Sequence, residues 1–205
     1  MKFKSVPEQF KEIVIVDIDN TSIEKIGRWP WPRSIIADGI TKISSGKPKV
    51  IGLNIILSEP EQNAGIDELN KLEAIFINNF LDASQEKGVL FLQSIDEARK
   101  SLNNDQKLSE AIKHSGNIVL PVFFNDSSPT VQKIPGTGNP MAKHTIKNIR
   151  IPANAHIHNA DKITNPLQPF FENAKGIGHI NFGPDIDGII RRDRLLYNYK
   201  VMYVP

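Results

Sequence analysis

Three apolar segments rich in β-branched residues predict buried strands: Ile13–Asp17, Val50–Leu57 and Ile118–Phe124. Continuous apolar runs of this length are typical of strands that are covered on both faces, as in parallel sheets. Between the first two segments, apolar residues at helical spacing predict a helix that starts at Arg33 and ends before Gly46. A strand, a helix and a second strand form a βαβ unit, so we expect these two strands to be parallel.

The stretch between the second and third predicted strands has a helical pattern. One apolar stripe consists of Leu69, Leu72, Phe76 and Phe80. A second helical segment follows the interruption at Gly88 and runs to about Leu102. A third helix is predicted to have Asn104 or Asp105 as its N-terminal cap and Gly116 as its C-terminal stop.

The last third of the chain is rich in turn signals. Residues 125–165 are polar and punctuated by proline, which predicts an irregular loop region. A short helix is predicted around Leu167–Asn173. The segments Gly176–Phe182 and Ile189–Tyr199 flank the turn-rich sequence Pro184–Gly188, and this arrangement predicts an antiparallel β-hairpin.

Together these elements predict an α/β fold. The expected architecture is a mixed sheet with a parallel βαβ core, helices on both faces and a C-terminal antiparallel β-hairpin. Pro121 lies inside the third predicted strand and has no N–H to donate to a ladder. We therefore expect either an edge position for this strand or an early end to its pairing.

Composition narrows the class of protein. The 205 residues suffice for one domain, and 40% hydrophobic with 23% charged residues excludes a disordered chain. The 25 basic and 23 acidic residues leave a net charge of +2, which does not support a nucleic-acid partner. The absence of cysteine excludes a disulfide framework and thiol catalysis. No apolar run approaches the roughly 20 residues of a membrane-spanning helix.

The sequence Ile15–Thr21, I-V-D-I-D-N-T, is similar to the first motif of haloacid-dehalogenase-like phosphatases. That resemblance implies a Mg²⁺-dependent phosphohydrolase with Asp17 as nucleophile and Asp19 as acid/base. The rest of the pattern is incomplete, because Ser58 could supply a hydroxyl but no later buried strand ends in two usable carboxylates. Two other interpretations stay open: both aspartates bond turn amides at a strand end, or they contact a ligand at the sheet edge.

The segment Gly27–Arg33 reads G-R-W-P-W-P-R and holds both tryptophans of the chain. It is either a recognition surface with rigid aromatic anchors or a stiff cover over the end of the sheet. Since parallel strands end at one edge, we expect an ion pair between an arginine of this segment and a carboxylate that follows the first or second strand. The candidate ligand-binding residues are Asp17, Asp19, Arg28, Trp29, Trp31, Arg33, Asn54 and Glu59.

Histidine and glycine patterns give no strong sign of a metal or a cofactor. His156 and His158 could share one face of an extended segment, but a third ligand is not evident. Phosphate-binding glycine motifs are lacking as well, since Gly176 and Gly178 are not followed by the third glycine of a dinucleotide fingerprint. We therefore predict no metal site and no cofactor.

Taken together, several segments resemble the CHASE sensory domain, type two (cyclases/histidine kinases associated sensory extracellular). In order, they are Ile13–Asp19 with Ser22, Gly27–Arg33, Val50–Leu57 with Ser58–Pro60, Leu108–Pro121, Gly178–Phe182, and Pro184–Gly188 with Ile190–Arg192 and Leu195. They cover nearly the whole chain. Asn54 stands where the family usually has an aspartate. Residues 62–104 exceed the family's usual link, which implies a helical insertion, and residues 125–165 match little.

The resemblance implies a non-catalytic sensor on the periplasmic or extracellular side of a bacterial membrane. In that family flanking helices anchor the domain, and a cyclase, diguanylate cyclase or kinase output follows. The abrupt ends of the chain agree with a single domain, residues 1–205, cut from such a receptor. The expected partner is a small-molecule or peptide ligand of unknown identity, and a homodimer stays open. The rival hypotheses are the phosphohydrolase and a purely structural dimerisation module.

Overall fold

The computed structural model describes most of the chain. The described residues are 12–79, 86–126, 140–152, 157–183, 187–191, 194–200 and 202–205. They fall into two units, residues 1–31 and residues 32–205, each of which is described by itself. The predicted apolar position Phe80, the ligand candidate His156 and the turn residues 184–186 lie outside the described residues.

The first unit contains one short helix, α1 (Asn20–Ile26), among its described residues. Residues 12–19 take no regular secondary structure. The side chains of Ile13, Val14, Ile15 and Val16 are 68–86% exposed. The predicted strand Ile13–Asp17 is therefore wrong: an apolar, β-branched run becomes a strand only where a neighbour bonds its backbone, and this run joins no ladder in the described part of the chain.

The second unit contains five α-helices and six strands in its described residues. The helices are α2 (Arg33–Ser45), α3 (Ala64–Asn79), α4 (Glu86–Leu102), α5 (Asn104–Ser115) and α6 (Gln168–Asn173). The strands are β1 (Ile51–Gly52), β2 (Ile118–Asp126), β3 (His158–Thr164), β4 (Gly176–His179), β5 (Tyr197–Tyr199) and β6 (Met202–Val204). A 3-10 helix spans Pro140–Lys143. Neither it nor β3 is predicted from the sequence.

The termini of α5 show how local sequence sets an element. Asn103 is its N-cap, and the side-chain oxygen accepts a hydrogen bond from the backbone N–H of Gln106 at 3.0 Å. The cap is therefore one residue earlier than predicted. Gly116 ends the helix at φ 67°, a left-handed conformation that suits glycine, so this predicted stop is confirmed.

Strand β2 lies at the centre of the sheet. It pairs with β1 and β4 in parallel and with β3 antiparallel, while β5 pairs parallel to β3 and antiparallel to β6. The backbone N–H of His179 in β4 donates to the carbonyl of Pro205 after β6 at 2.8 Å. The sheet therefore curls back on itself, because its last strand is bonded to a neighbour of its central strand.

The predicted α/β class with a mixed sheet is confirmed, but two of its parts differ from the prediction. The parallel connection joins β1 to β2 through α3, α4 and α5. The C-terminal hairpin consists of β5 and β6, not of Gly176–Phe182 and Ile189–Tyr199. The first segment pairs instead with β2, through β4, and the end of the second pairs with β3 and β6, through β5.

Pro121 explains why β1 is short. The backbone N–H and C=O groups of odd-numbered residues in and just before β2 point towards β1. The N–H groups of Ile51 and Leu53 donate to the carbonyls of Asn117 and Val119. The next donor on that side would be residue 121, which is a proline. The predicted early end to pairing is therefore confirmed on the β1 side, whereas an edge position is wrong, because β2 continues to Asp126 and pairs with β4 across Pro121.

Two apolar clusters make up the core of the second unit. Ile118 and Leu120 of β2 belong to the first cluster, together with buried side chains of α2, α5 and α6. Val122 and Phe124 belong to the second, together with β4, β5 and β6. Since side chains of a strand alternate between faces, these four residues share one face of β2. That helices also cover the opposite face stays a prediction.

Candidate functional site

The first unit holds a short aromatic loop after α1. Asp19 caps that helix: its Oδ1 accepts from the N–H of Ser22 at 2.8 Å and from the Ser22 hydroxyl at 2.6 Å. These bonds, chiefly the hydroxyl one, lower the pKa of the Asp19 carboxyl. Asp19 therefore acts as the turn-bonding carboxylate that one interpretation predicted. Gly27 follows the helix at φ 117° and opens the loop.

The two tryptophans of this aromatic loop, residues 27–31, are held in a fixed arrangement. Their rings meet edge to face, with centroids 5.7 Å apart and planes at 70°. The indole Nε1–H of Trp31 donates to the carbonyl of Gly27 at 2.7 Å. Trp29 and Trp31 are partly exposed, and Arg28 is exposed beside them. The loop therefore presents aromatic side chains that are held in place by their own contacts, with an exposed cation beside them.

In the second unit, Arg33 is the centre of a polar network. Its guanidinium pairs with the carboxylate of Asp105 and also donates to the backbone carbonyl of Glu59. The guanidinium carbon lies 5.4 Å from the centroid of the Phe170 ring. The side chain of Arg33 is 12% exposed. Both terminal nitrogens of this guanidinium are therefore bonded within the protein.

Glu61 extends the network between the N-terminal ends of α2 and α5. Its carboxylate accepts from the N–H of Arg33 at 3.2 Å and from the side-chain amide of Asn104 at 3.2 Å. Its own N–H donates to Asp105 at 3.1 Å. Carboxylates near helix N-termini are favoured by the backbone N–H groups exposed there. The network therefore joins two helices and the segment after β1.

The structure places the eight candidate residues in different settings. Asp17, Asp19, Arg28, Trp29 and Trp31 belong to the first unit, and Arg33, Asn54 and Glu59 to the second. Asp17, Asn54 and Glu59 are exposed. The ion-pair partner of Arg33 is Asp105, and Glu59 binds it through the backbone instead of the predicted carboxylate. A carboxylate partner for Arg28 stays a prediction.

Sequence reasoning missed Asn181. This buried side chain accepts from the N–H of Phe124 at 2.7 Å and donates to the carbonyl of Phe124 at 2.5 Å. These two bonds extend the hydrogen bonding of β2 along the edge that faces β4, beyond the last residue of β4. Its position in the G-H-I-N-F segment Gly178–Phe182 is the only sign in the sequence. Among the described residues, no group of three His, Asp or Glu could hold a metal ion.

The buried His144 should make stability depend on pH. Burial lowers its pKa, which its hydrogen bond to the carbonyl of Phe171 partly opposes. The unfolded chain, with an ordinary histidine pKa near 6.5, then binds a proton at higher pH than the native state. The stabilisation is thus complete above about pH 6.5 and is lost as the pH falls through the lowered native value.

His144→Gln, which keeps an N–H donor, removes this titration. We expect its free energy of unfolding to change less than that of the wild type between about pH 7 and pH 5. Urea unfolding of both proteins across this range measures the difference. Equal pH slopes for the two proteins would contradict this account of His144.

Comparison with known proteins gives one match. The family model of the CHASE2 domain matches residues 1–205, the whole chain. Searches of curated proteins and of solved structures found no match. In the part of the chain that the structure describes, no helix has the length and apolar character needed to cross a bilayer.

Proposed function

The chain belongs to the CHASE2 domain family, a family of sensory domains of signalling receptors, and from this premise we propose that it is a ligand-sensing, extracytoplasmic and non-catalytic receptor domain. The observation that carries the proposal is the family match over all 205 residues. CHASE2 domains are typically extracellular parts of membrane receptors. The proposal thus includes membrane anchoring through flanking helices and a cyclase, diguanylate cyclase or kinase output.

The aromatic loop, residues 27–31, is the part of the candidate site that best fits ligand contact. Its tryptophans are partly exposed and already ordered by their mutual packing and by the Trp31–Gly27 hydrogen bond. Ordered aromatic side chains lose little entropy on binding. Arg28 adds an exposed guanidinium suited to a carboxylate or phosphate group of the ligand. Arg33, by contrast, is engaged by Asp105 and Glu59, so we assign it a structural role.

A thermal-shift screen of small molecules and peptides tests ligand binding. A compound that binds only the native state at about 100 times its Kd adds about 2.7 kcal/mol of stability, a shift of roughly 5–10 °C at this chain length. We expect Trp29→Ala to abolish the shift produced by a hit. The matched control is Phe182→Ala, which removes another exposed aromatic ring, 66% exposed in the second unit, and should leave the shift intact.

Two results would contradict the proposal. A compound that raises the melting temperature of Trp29→Ala as much as that of the wild type would show that the aromatic loop is not part of the ligand site. Turnover of p-nitrophenyl phosphate with Mg²⁺, abolished by Asp17→Asn, would replace the sensor with the phosphohydrolase. The Oδ1 atom of Asp19, the acid/base of that alternative, already accepts the two hydrogen bonds that cap α1.

A topology reporter placed beside the domain in the full-length protein tests the extracytoplasmic location.

A further inference from the structure

One end of the second unit carries exposed lysines without carboxylate partners. We call them the lysine pole: Lys42, Lys47, Lys49, Lys113 and Lys175. Among the described residues, none of the five forms an ion pair. We propose that the lysine pole is a binding surface for a linear phosphate polymer that carries no bases. It shares no residue with the aromatic loop, so this proposal does not depend on the ligand site proposed above.

The ends of α2 and α5 bring four of the five lysines together. These helices end side by side, since the hydroxyls of Ser44 and Ser115 lie 2.7 Å apart. The side-chain amide of Asn117 donates to the carbonyl of Pro48 at 2.7 Å and joins the two segments that follow the helices. Each helix has one lysine of the pole in its last turn. The other two flank Pro48 in sequence.

The sheet places Lys175 at the same end. Its backbone N–H donates to the carbonyl of Ile118 at 2.8 Å, just before β4 begins. Ile118 is also the register partner of Ile51 in β1. Lys175 and Ile51 therefore flank Ile118, with Cα atoms about 10 Å apart, because neighbouring strands are about 4.8 Å apart. The lysine pole thus lies where the parallel strands of the sheet begin.

Acidic residues are absent from the three segments that form this end, residues 39–51, 111–119 and 173–178, all of which the structure describes. The carboxylates just before two of these segments, Glu110 and Glu172, each accept a hydrogen bond from a glutamine four residues earlier. Without the five lysines the whole chain would be acidic, because it holds 25 basic and 23 acidic residues. Positive charge is therefore concentrated at this end.

Helix stability explains only part of this arrangement. Cations in the last turn of a helix are favoured by the carbonyls exposed there, which gives Lys42 and Lys113 a structural role. Lys49 and Lys175 lie beyond the helices, and the effect falls off within the last turn. Asp38, one turn before Lys42, forms no ion pair with it. Like charges that gather without counter-charges attract anions to a surface.

The composition of the lysine pole selects the class of anion. Its three segments contain no arginine, tryptophan, tyrosine or phenylalanine. Arginine and aromatic residues are enriched at interfaces with folded proteins, and aromatic rings stack on nucleic-acid bases. Of the large apolar residues in these segments only Val50 is strongly exposed, at 58%, whereas a surface that docks on lipid has an apolar face. Lysine binds phosphate as a point charge without a fixed geometry, which suits a flexible chain of phosphates.

Fluorescence anisotropy of an end-labelled inorganic polyphosphate, titrated with the 205-residue chain, tests the proposal. We expect saturable binding that weakens with salt. The logarithm of the association constant should fall against the logarithm of salt concentration with a slope of about −3, as for about four phosphate contacts. Lys49→Gln with Lys175→Gln should weaken binding at least about tenfold at low salt and make the slope shallower by about 1.4.

The matched control is Lys71→Gln with Lys100→Gln. It removes the same charge from exposed positions of α3 and α4 and should bind like the wild type. Thermal unfolding of each variant checks that it is folded. A wild-type chain that does not bind polyphosphate at low salt overturns the proposal. So does a control variant that loses as much affinity as the variant of the lysine pole.

Two further probes distinguish other anions. Oligothymidylate with the same number of phosphates should bind no more tightly than polyphosphate, because the lysine pole offers no ring on which a base could stack. Tighter binding of oligothymidylate would contradict the proposal and assign the surface to a nucleic acid. Vesicles of anionic phospholipid that bind the wild type more tightly than polyphosphate does, through the same two lysines, would assign it to a membrane surface instead.

Discussion

Replacing Arg33 with alanine is expected to lower the free energy of unfolding by about 3 kcal/mol, as for other ion pairs broken in a mostly buried setting. The side chains of Arg33 and Asp105 are 12% and 26% exposed, so solvent screens the pair only in part. The substitution leaves the Asp105 carboxylate without its guanidinium and the carbonyl of Glu59 without its donor. Urea denaturation followed by circular dichroism measures the change.

Two further variants separate the geometry of the network from its charge. Arg33→Lys keeps the positive charge but cannot reach Asp105 and the Glu59 carbonyl with one planar fork, so it should recover only part of the stability. Arg191→Ala breaks an exposed pair with Asp187 and should change stability little. If Arg33→Ala costs no more than Arg191→Ala, the network does not stabilise the fold.

Asn181→Leu is expected to lower the free energy of unfolding by about 3 kcal/mol. It leaves two buried backbone groups without a hydrogen bond, at a cost of about 1–3 kcal/mol each. Both groups belong to Phe124, whose N–H and carbonyl are bonded by the Asn181 side chain. Leucine has the same branched shape and is somewhat larger, so it leaves no space in which water could replace the lost bonds. Thermal and urea unfolding measure the loss.

Asn125→Leu is the matched control for this substitution. Asn125 lies on β2 next to Phe124, but it is exposed and its backbone pairs with Lys162 of β3. We expect this variant to change stability by less than about 0.5 kcal/mol, the usual range for surface positions. A loss for Asn181→Leu as small as for Asn125→Leu would show that the Phe124 backbone does not depend on this amide.

Local signals predicted the helices well and the strand partners poorly. Spacing of apolar residues and the stop at Gly116 are properties of a few neighbouring residues, and they located α2, α5 and α6. Strand pairing depends on distant segments. Gly176–His179, for example, pairs in parallel with β2, far earlier in the chain, and not with the segment that follows it. The β3 strand, His158–Thr164, is polar and gives no alternating pattern, since the curled sheet buries only Ala160 of its residues.

The contacts of Arg33 could not be predicted from the sequence. Arg33 was expected to meet a carboxylate, and it does, but the partner is Asp105, which lies on a helix 72 residues away in sequence. The sequence analysis treated Asp105 only as a helix cap, a role that Asn103 takes instead. Because Asn103 caps the helix, the Asp105 carboxylate is free to bind Arg33 and Glu61.

The central strand has a mechanical consequence. β2 is nine residues and thus about 30 Å long, with Ile118 and Leu120 in one core cluster and Val122 and Phe124 in the other. A close-packed interior resists compression and transmits strain. A displacement of β2 along its own axis at one cluster therefore displaces the side chains in the other by a similar distance. We therefore expect a movement of α2 or α5 that shifts β2 to displace the strands that end the chain as well.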